Sequence, residues 1–401
     1  MISLKEATEL ISNSVTPINV KTIPIANSLN CKLAGDLHSP INVPGFDNSA
    51  MDGIAIRYSD LQETGPWKIK IQKTIAAGDS PSDSLQKGCA VKIMTGAPLP
   101  EDADTVIIVE DLIFHDDMVE ITERPKPGKN VRPMGDSLKR GDLVFRKGHI
   151  LKPVDVGILA SIGLEQVRVI PKPEIAIIST GSEIVAPGSP LLPGQIYNSN
   201  DTALTALLNN IGFNSISVLP PAIDDLETLY SCIDKSLLSN HLVITTGGVS
   251  MGDFDYIPHV VKELGGEIIF HKVIIKPGKP ALFAKFNRNG EHLLLGLPGN
   301  PVSTVVGYHL YVKQLVSLLM GIPFKREKVK ATLTDELRFS GFRQKVNGVT
   351  LAKGNNGMSA IPALRQQSGR LASIGNIDGF IYIDGGNQVL PAGLEVEVEL
   401  L

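Results

Sequence analysis

The spacing of apolar positions changes character several times along this chain. In the first twenty residues Leu4, Ala7, Leu10 or Ile11, and Val15 fall on one stripe at helical spacing, which predicts a short amphipathic helix. From about Thr22 to Arg168 the text becomes short alternating runs such as Trp67-Lys-Ile-Lys-Ile-Gln72, Thr105-Val-Ile-Ile-Val109 and Met118-Val-Glu-Ile121, broken by Gly and Pro. That pattern predicts a β-rich region with many turns. Pro171-Lys-Pro173 stiffens the backbone at a natural boundary.

Beyond it, strand and helix alternate. Ile175-Ala-Ile-Ile-Ser179 has the composition of a buried strand, and Leu204, Leu207, Leu208 and Ile211 then recur at helical spacing up to Gly212, a C-cap residue. Ser215–Leu219 predicts a second strand and Leu242-Val-Ile-Thr-Thr246 a third. Leu226, Leu229, Ile233 and Leu237 mark one intervening helix. Ile257, Val260, Val261 and Leu264 mark another, closed by Gly265-Gly266. Such alternation implies a mostly parallel sheet covered on both faces. Asn289-Gly290, between the runs 281–286 and 292–296, is a hairpin signal. Asn300 and Pro301 then mark an N-cap and first helical position ahead of the apolar run Val302–Met320. That run contains His309, Lys313 and Gln314 and is expected to be a core helix rather than a membrane span. From about Phe324 β rhythm returns: Val346-Asn-Gly-Val349 predicts a hairpin turn, while Phe380–Ile383 and Leu394–Leu400 predict strands.

The expected fold class is therefore α/β and β multidomain, a central α/β domain with a mostly parallel sheet flanked by β-rich domains. The length of 401 residues agrees, since roughly 150 residues per domain gives two or three domains. Thirty-eight Lys+Arg against 42 Asp+Glu give a net charge of -4, which argues against nucleic acid or an anionic membrane as a partner held by bulk charge. Any anionic ligand must meet a local cluster of cations. Cys31, Cys89 and Cys232 form no CxxC pair and no even set, and Met1–Ala7 carries charges where an apolar leader would be uncharged. Both point to a reducing, cytoplasmic setting.

In a parallel α/β sheet, ligands bind outside the carboxyl ends of the strands. Three loops there carry unusual residues: Ser179-Thr180-Gly181-Ser-Glu183, Thr245-Thr246-Gly247-Gly248-Val-Ser250-Met-Gly252-Asp-Phe-Asp255, and Pro298-Gly-Asn-Pro301. Glycines let backbone N–H groups turn towards an anion, and hydroxyls add donors. Asp253 and Asp255 would repel phosphate unless a divalent cation lies between, so the run suggests a Mg²⁺-bridged phosphate. The plainer reading, a tight turn with Asp253 as a helix cap, suffices for Gly-Gly alone but not for the whole run. No GxxxxGK[ST] or GxGxxG is present. Next, Lys272, Lys276 and Lys279 fall within eight residues of a proline-stiffened segment. Preorganised cations of this kind suit a polyanion, whereas the alternative is a strand edge defended by lysine. By composition alone, Pro44–Ala55, with Asp47 and Asp52, and Lys92–Pro98, with Thr95, are loops.

Asn48-Ser-Ala-Met-Asp-Gly53, Met94-Thr-Gly-Ala97, Ser179-Thr-Gly181, Thr246-Gly-Gly-Val-Ser-Met-Gly252 with Asp255-Tyr256, Lys276-Pro-Gly-Lys-Pro280 and Leu297-Pro-Gly-Asn-Pro301 occur in this order. Together, over nearly the full chain, they resemble the molybdopterin molybdenumtransferase family of the MoeA or gephyrin E-domain type. The resemblance implies insertion of molybdenum from molybdate into adenylyl-molybdopterin with release of AMP, and a requirement for Mg. It implies a homodimer whose cleft lies between the α/β domain of one subunit and the Asp52-bearing domain of the other. Molybdopterin adenylyltransferase and molybdoenzyme maturation proteins are the implied protein partners.

Position by position, the family's acids fall on Asp52, Glu183, Asp224 and Asp255, its lysines on Lys272, Lys276 and Lys279, its threonine on Thr95, and its C-terminal serine on Ser368. Asp52, Asp255 and Glu183 are the expected Mg ligands. Thr180, Gly181, Thr246, Gly247, Gly248, Ser250, Gly252, Pro298 and Pro301 complete the expected substrate-binding set. The implied domains are 1–21, a helix packing on the α/β domain; 22–40 with 147–170, a discontinuous linking domain; 41–146, carrying Asp52; 171–322, the α/β molybdopterin-binding domain; and 323–401, a β-barrel-like domain. One departure is that Gly135-Asp136-Ser137 stands where the family usually has Gly-Glu-Asp, leaving Asp136 or no residue for that role. Alternatives are the adenylyltransferase itself, disfavoured by the β-rich sequence outside 171–322, and a dimeric scaffold of the gephyrin E-domain type.

Overall fold

The computed structural model describes residues 1–80, 84–213, 215–221, 225–250, 255–354, 357–363 and 371–401. The chain forms two compact units, one of residues 1–21, 30–32 and 170–401, the other of residues 22–29 and 33–169.

The second unit is the β-rich one. Its main sheet has six strands in the order Thr105–Ile108, Gly53–Ile56, Cys89–Ile93, Trp67–Ile75, Met118–Ile121 and Leu112–His115. Alternation places Ile54 and Ile56 in one apolar cluster with Val119 and Ile121, and Ala55 in another with Val91 and Val106, so both faces of the strand are covered. Hydrogen bonds also tie 22–40 to 147–170. Leu33 N–H donates to His149 O at 2.9 Å, Ile25 N–H to Glu165 O at 3.0 Å and Ala34 N–H to Arg168 O at 3.1 Å.

The first unit contains the α/β layers. Six strands lie in the order Ile216–Val218, Ile175–Ser179, Leu242–Thr246, Glu291–Leu297, Leu282–Asn287 and Glu267–His271. The first four are mutually parallel, and only 282–287 runs against its neighbours. Chain order steps outward from 175–179 to 216–218 and then returns to 242–246, so a topological switch point lies between 175–179 and 242–246. Register aligns Ser179 with Thr246 and Thr246 with Leu297, which brings three strand ends level. Helices Ser199–Asn210 and Leu226–Ser239 cover opposite faces, with Leu204 and Leu208 in one cluster and Leu229, Ile233 and Leu237 in the other.

Helix Leu4–Ser14 packs into the first of these clusters through Ala7 and Ile11, capped by Ser3, which accepts from Glu6 N–H at 3.2 Å. Helix Pro301–Gly307 continues through a π-helical turn, Tyr308–Val312, into Lys313–Leu319. The polar residues that interrupt this apolar run are absorbed in the core. Gln314 Nε2 donates to Thr8 O at 2.9 Å, and burial keeps His309 neutral, lowering its pKa to about 3. Among the described residues no helix is long and apolar enough to cross a membrane.

The C-terminal strands close into a barrel. Gln344–Gly354, Gly357–Pro362, Lys328–Leu333, Glu395–Leu400 and Gly379–Ile383 pair in sequence, and 379–383 pairs back onto 344–354. The Asn289-Gly290 hairpin forms as expected, with φ of 50° and 142°. The hairpin turn expected at Val346–Val349 does not form, because these residues lie inside strand 344–354. Gly348 is needed there for space, since a Cβ would sit 2.9 Å from Ile377 Cγ2. The strand continues because Val346 and Val349 are both fully buried, so the local Asn-Gly preference is overridden by packing.

A buried polar knot fixes the strand ends at the switch point. The Ser179 hydroxyl bonds to Thr246 Oγ1 at 2.8 Å and donates to Asp201 Oδ1, while Asn198 Nδ2 donates to Asp201 Oδ2 at 2.6 Å. Burial raises the Asp201 pKa above its ordinary 3.8, with the bonds from Ser179 and Asn198 opposing the rise only in part.

Two outcomes follow. Gly348→Ala should cost about 1–3 kcal/mol through overpacking, and less when Ile377→Ala is present, a non-additivity readable in a thermal double-mutant cycle. A carboxyl whose folded pKa is raised contributes stability that is complete below its unfolded value of 3.8 and is lost as pH rises through the folded pKa. Melting temperatures of Asp201→Asn should therefore fall less than those of the parent between pH 4 and 7.

Candidate active site

At the switch point a cavity of about 260 Å³ opens between the ends of the parallel strands. Its floor is the loop after strand 175–179, Thr180 and Gly181, facing the loop after 242–246, Gly247 and Gly248. Thr180 N–H donates to Thr246 O at 2.9 Å and Gly247 N–H to Leu297 O at 2.9 Å, so each loop leaves its strand by bonding across to the next. Gly247 and Gly248 have φ of 95° and 65°, and a Cβ on Gly247 would lie 2.5 Å from Thr180 Oγ1 and 2.9 Å from Thr180 O. Only glycine admits this closeness.

Two helix N-termini converge on the cavity. Ser199 and Asn200 begin one, and Gly299 and Pro301 the other, so both present the positive ends of their dipoles. Asn200 Nδ2 donates to Gly299 O at 2.8 Å and joins them. Asn300 occupies the N-cap position expected from sequence, but its side chain makes no capping hydrogen bond. The Oδ1 atoms of Asn200 and Asn300 are buried without a hydrogen-bond partner. Glu183 and Asp255 add carboxylates to the wall.

These donors fit Mg²⁺, a hard cation that takes oxygen ligands, keeps several waters and shares phosphate oxygens. Glu183, Asp255 and the unpartnered Asn200 Oδ1 are oxygen donors at one cavity. Among the described residues no group of three or more His, Cys, Asp or Glu is placed to hold a metal alone.

Of the residues expected from sequence, the cavity gathers Thr180, Gly181, Glu183, Gly247, Gly248, Asp255 and Pro301. Thr246 and Pro298 lie just beneath. The Thr246 carbonyl receives Thr180 N–H, and the Pro298 carbonyl accepts from Thr304 Oγ1 at 2.8 Å. Ser250 is exposed where the described part of its loop ends. Asp224, Gly252 and Ser368, with Asp253, lie outside the described residues.

Lys272, Lys276 and Lys279 do not line this cavity. They sit on a strap fixed at several points. His271 Nε2 bonds to Val249 O at 2.9 Å, next to the Gly-Gly turn. Ile2 N–H donates to Lys272 O at 3.2 Å and Val273 N–H to Lys279 O at 2.9 Å. The strap then enters the barrel ladder: Ile275–Lys276 pairs in parallel with Gln344 and Lys345.

Asp52 and Thr95 belong to the other unit, where the two loops identified only as turn-rich in sequence are knit together. Asp52 Oδ1 accepts from Thr95 N–H at 2.6 Å and from Thr95 Oγ1 at 2.9 Å, and Gly96 N–H donates to Ser49 O at 2.8 Å. The Thr95 backbone bond, followed by its hydroxyl, holds the exposed Asp52 carboxyl below its ordinary pKa. Both side chains of the departing Asp136-Ser137 pair are exposed in this unit.

Sequence reasoning missed Asn198, Asn200 and Asp201, although the run Asn198-Ser-Asn-Asp201 directly before a helical period was an available N-cap signal. It also missed Lys345, which no local pattern marks.

Comparison with known proteins agrees with this architecture. Residues 2–163 match the model described as MoeA N-terminal region (domain I and II), and residues 176–317 match the one described as probable molybdopterin binding domain. Molybdopterin molybdenumtransferase of Staphylococcus epidermidis is 35% identical over 405 residues, covering 100% of this chain and 95% of the relative. The Staphylococcus aureus protein of the same name is 33% identical over 407 residues, with the same coverage. A crystal structure of a molybdopterin biosynthesis MoeA protein from Pyrococcus horikosii superposes with a TM-score of 0.77 at 34% identity, covering 100% of this chain and 99% of that one. With six ordered motifs, two domain matches and full-length relatives in agreement, the chain belongs to the molybdopterin molybdenumtransferase family.

Proposed function

We propose that this protein is a molybdopterin molybdenumtransferase of molybdenum cofactor biosynthesis, which inserts molybdenum from molybdate into adenylyl-molybdopterin and releases AMP. The observation that carries the reading is the convergence of Thr180-Gly181, Gly247-Gly248 and Gly299–Pro301 on one crevice, with two helix N-termini directed into it. Such a crevice takes phosphate.

The residues divide the work by chemistry. The Gly248 N–H and the Thr180 hydroxyl grip the phosphates of the nucleotide-capped pterin. Asn200 Oδ1, unpartnered in the protein, accepts a hydrogen bond from a donor on the substrate or ligates the cation. Glu183 and Asp255 would hold Mg²⁺, which when bound would neutralise charge on the phosphate oxygens. The lysine strap stabilises negative charge developing on the leaving phosphate, a role favoured by its fixed backbone. Asp52, kept ionised by Thr95, is an acceptor suited to orienting a water or a metal-bound ligand. We further infer a cytoplasmic homodimer. The free thiols of Cys31, Cys89 and Cys232 fit a reducing compartment.

The test is incubation of the purified protein with adenylyl-molybdopterin, Mg²⁺ and molybdate. AMP should appear only with molybdate and Mg²⁺, and its absence would reject the reading. AMP-free, ATP-dependent turnover of molybdopterin would support an adenylyltransferase instead. Asp52→Ala and Lys276→Ala should each lower the AMP release rate about 100-fold or more. Gly247→Ala should weaken AMP binding by about tenfold or more in calorimetry, because its Cβ would meet Thr180 within 3 Å.

A further inference from the structure

Lys345 lies in barrel strand 344–354, and its register partner in the parallel ladder is Lys276 of the strap. Paired positions in neighbouring strands project to the same side, so the two ammonium-bearing side chains lie next to each other. Like charges at such positions are destabilising. A cross-strand lysine pair normally has carboxylates nearby to offset that cost, and here none is engaged. Among the described residues neither Lys276 nor Lys345 takes part in an ion pair. Asp384, adjacent to Ile383 that pairs with Lys345, is committed elsewhere: it accepts from Gln344 Nε2 at 2.9 Å.

Lys345 is also half-buried, with its ammonium 5.8 Å from the centroid of the Phe339 ring. Burial lowers its pKa, and the positive charge of Lys276 lowers it further. The mounting is rigid on both sides. Lys276 is carried by the strap tied to Ile2 and, through His271, to the Gly-Gly turn, and Gln344 N–H donates to Ile274 O at 3.1 Å beside the pair. One exposed and one half-buried cation on a fixed backbone, paired with no carboxylate, form a site for an external dianion.

We propose that Lys345 is an anion-binding residue which, with Lys276, holds a tetrahedral oxyanion, so that the C-terminal barrel contributes a ligand-binding side chain. The ligand class rests on the function proposed above, which offers two such groups: a phosphate of the nucleotide-capped substrate and the incoming oxometallate.

Isothermal titration of the intact protein at low salt with sodium molybdate, and separately with inorganic phosphate, tests this. Lys345→Met keeps the aliphatic stem over Phe339 and removes the charge. Affinity for at least one anion should fall by roughly tenfold or more, with an unchanged or higher melting temperature, and Lys345→Arg should retain it. A loss confined to molybdate identifies the oxometallate, and one confined to phosphate identifies the substrate phosphate. Equal affinities of Lys345→Met and the parent for both anions would overturn the proposal, as would a parent that binds neither. Titration needs no turnover, so this result is independent of the AMP release assay that tests the reaction itself.

Discussion

Everything at the crevice depends on one steric constraint: at Gly247 there is no room for a side chain. Thr180 Oγ1 and the Thr180 carbonyl occupy the space a Cβ would need, and Gly299 lies on another side, its own Cβ position 3.4 Å from Gly247 Cα. Three loops leave three level strand ends and meet backbone to backbone. Such close contact leaves no room for side chains, which explains why glycine recurs in each loop. The buried knot of Ser179, Thr246, Asn198 and Asp201 supports this arrangement from below, holding the strand ends at the separation the loops require.

The lysine strap solves a second problem, that of keeping cations together in a protein that is slightly acidic overall. A flexible segment would let three lysines spread into solvent. Here the backbone is tied to the N-terminal Ile2, to Val249 and to the barrel strand at Gln344, so their positions are set by structure rather than by attraction. The barrel thereby becomes part of the chemistry as well as the fold. Val346 and Phe380 reinforce the connection by packing in the same apolar cluster as the α/β core residues Leu295 and Val306.

Much of this could be read from residue spacing. The alternation of Ile175–Ser179, Leu204–Ile211 and Leu242–Thr246 identifies a parallel sheet, because buried strands and amphipathic helices have different periods. The three glycine loops follow from where such sheets bind ligands. The barrel strand was less legible: Asn347-Gly348 carries a turn signature, yet both residues are buried in a continuous strand, and only the position of Ile377 explains the glycine. Lys345 was invisible for the same reason. Its significance lies in a register partner nearly seventy positions earlier in the chain, and no local window contains both. The Asp52–Thr95 pair sits between these cases, since composition marks both loops as turns but only hydrogen bonds reveal that they form one feature.

The charges in the two units are prepared by opposite means. Asp52 is fully exposed, and two Thr95 donors favour its ionised form without any burial, so it stays a carboxylate over the whole neutral range. Lys345 is half-buried beside another cation, and burial first and then Lys276 lower its pKa, so its charge is less favoured than that of a free lysine. An acceptor stabilised in advance suits a group that must orient water or metal at every stage. A cation under internal stress suits a group whose interaction should be strongest when negative charge is present, which is the condition for stabilising a transition state more than the free enzyme.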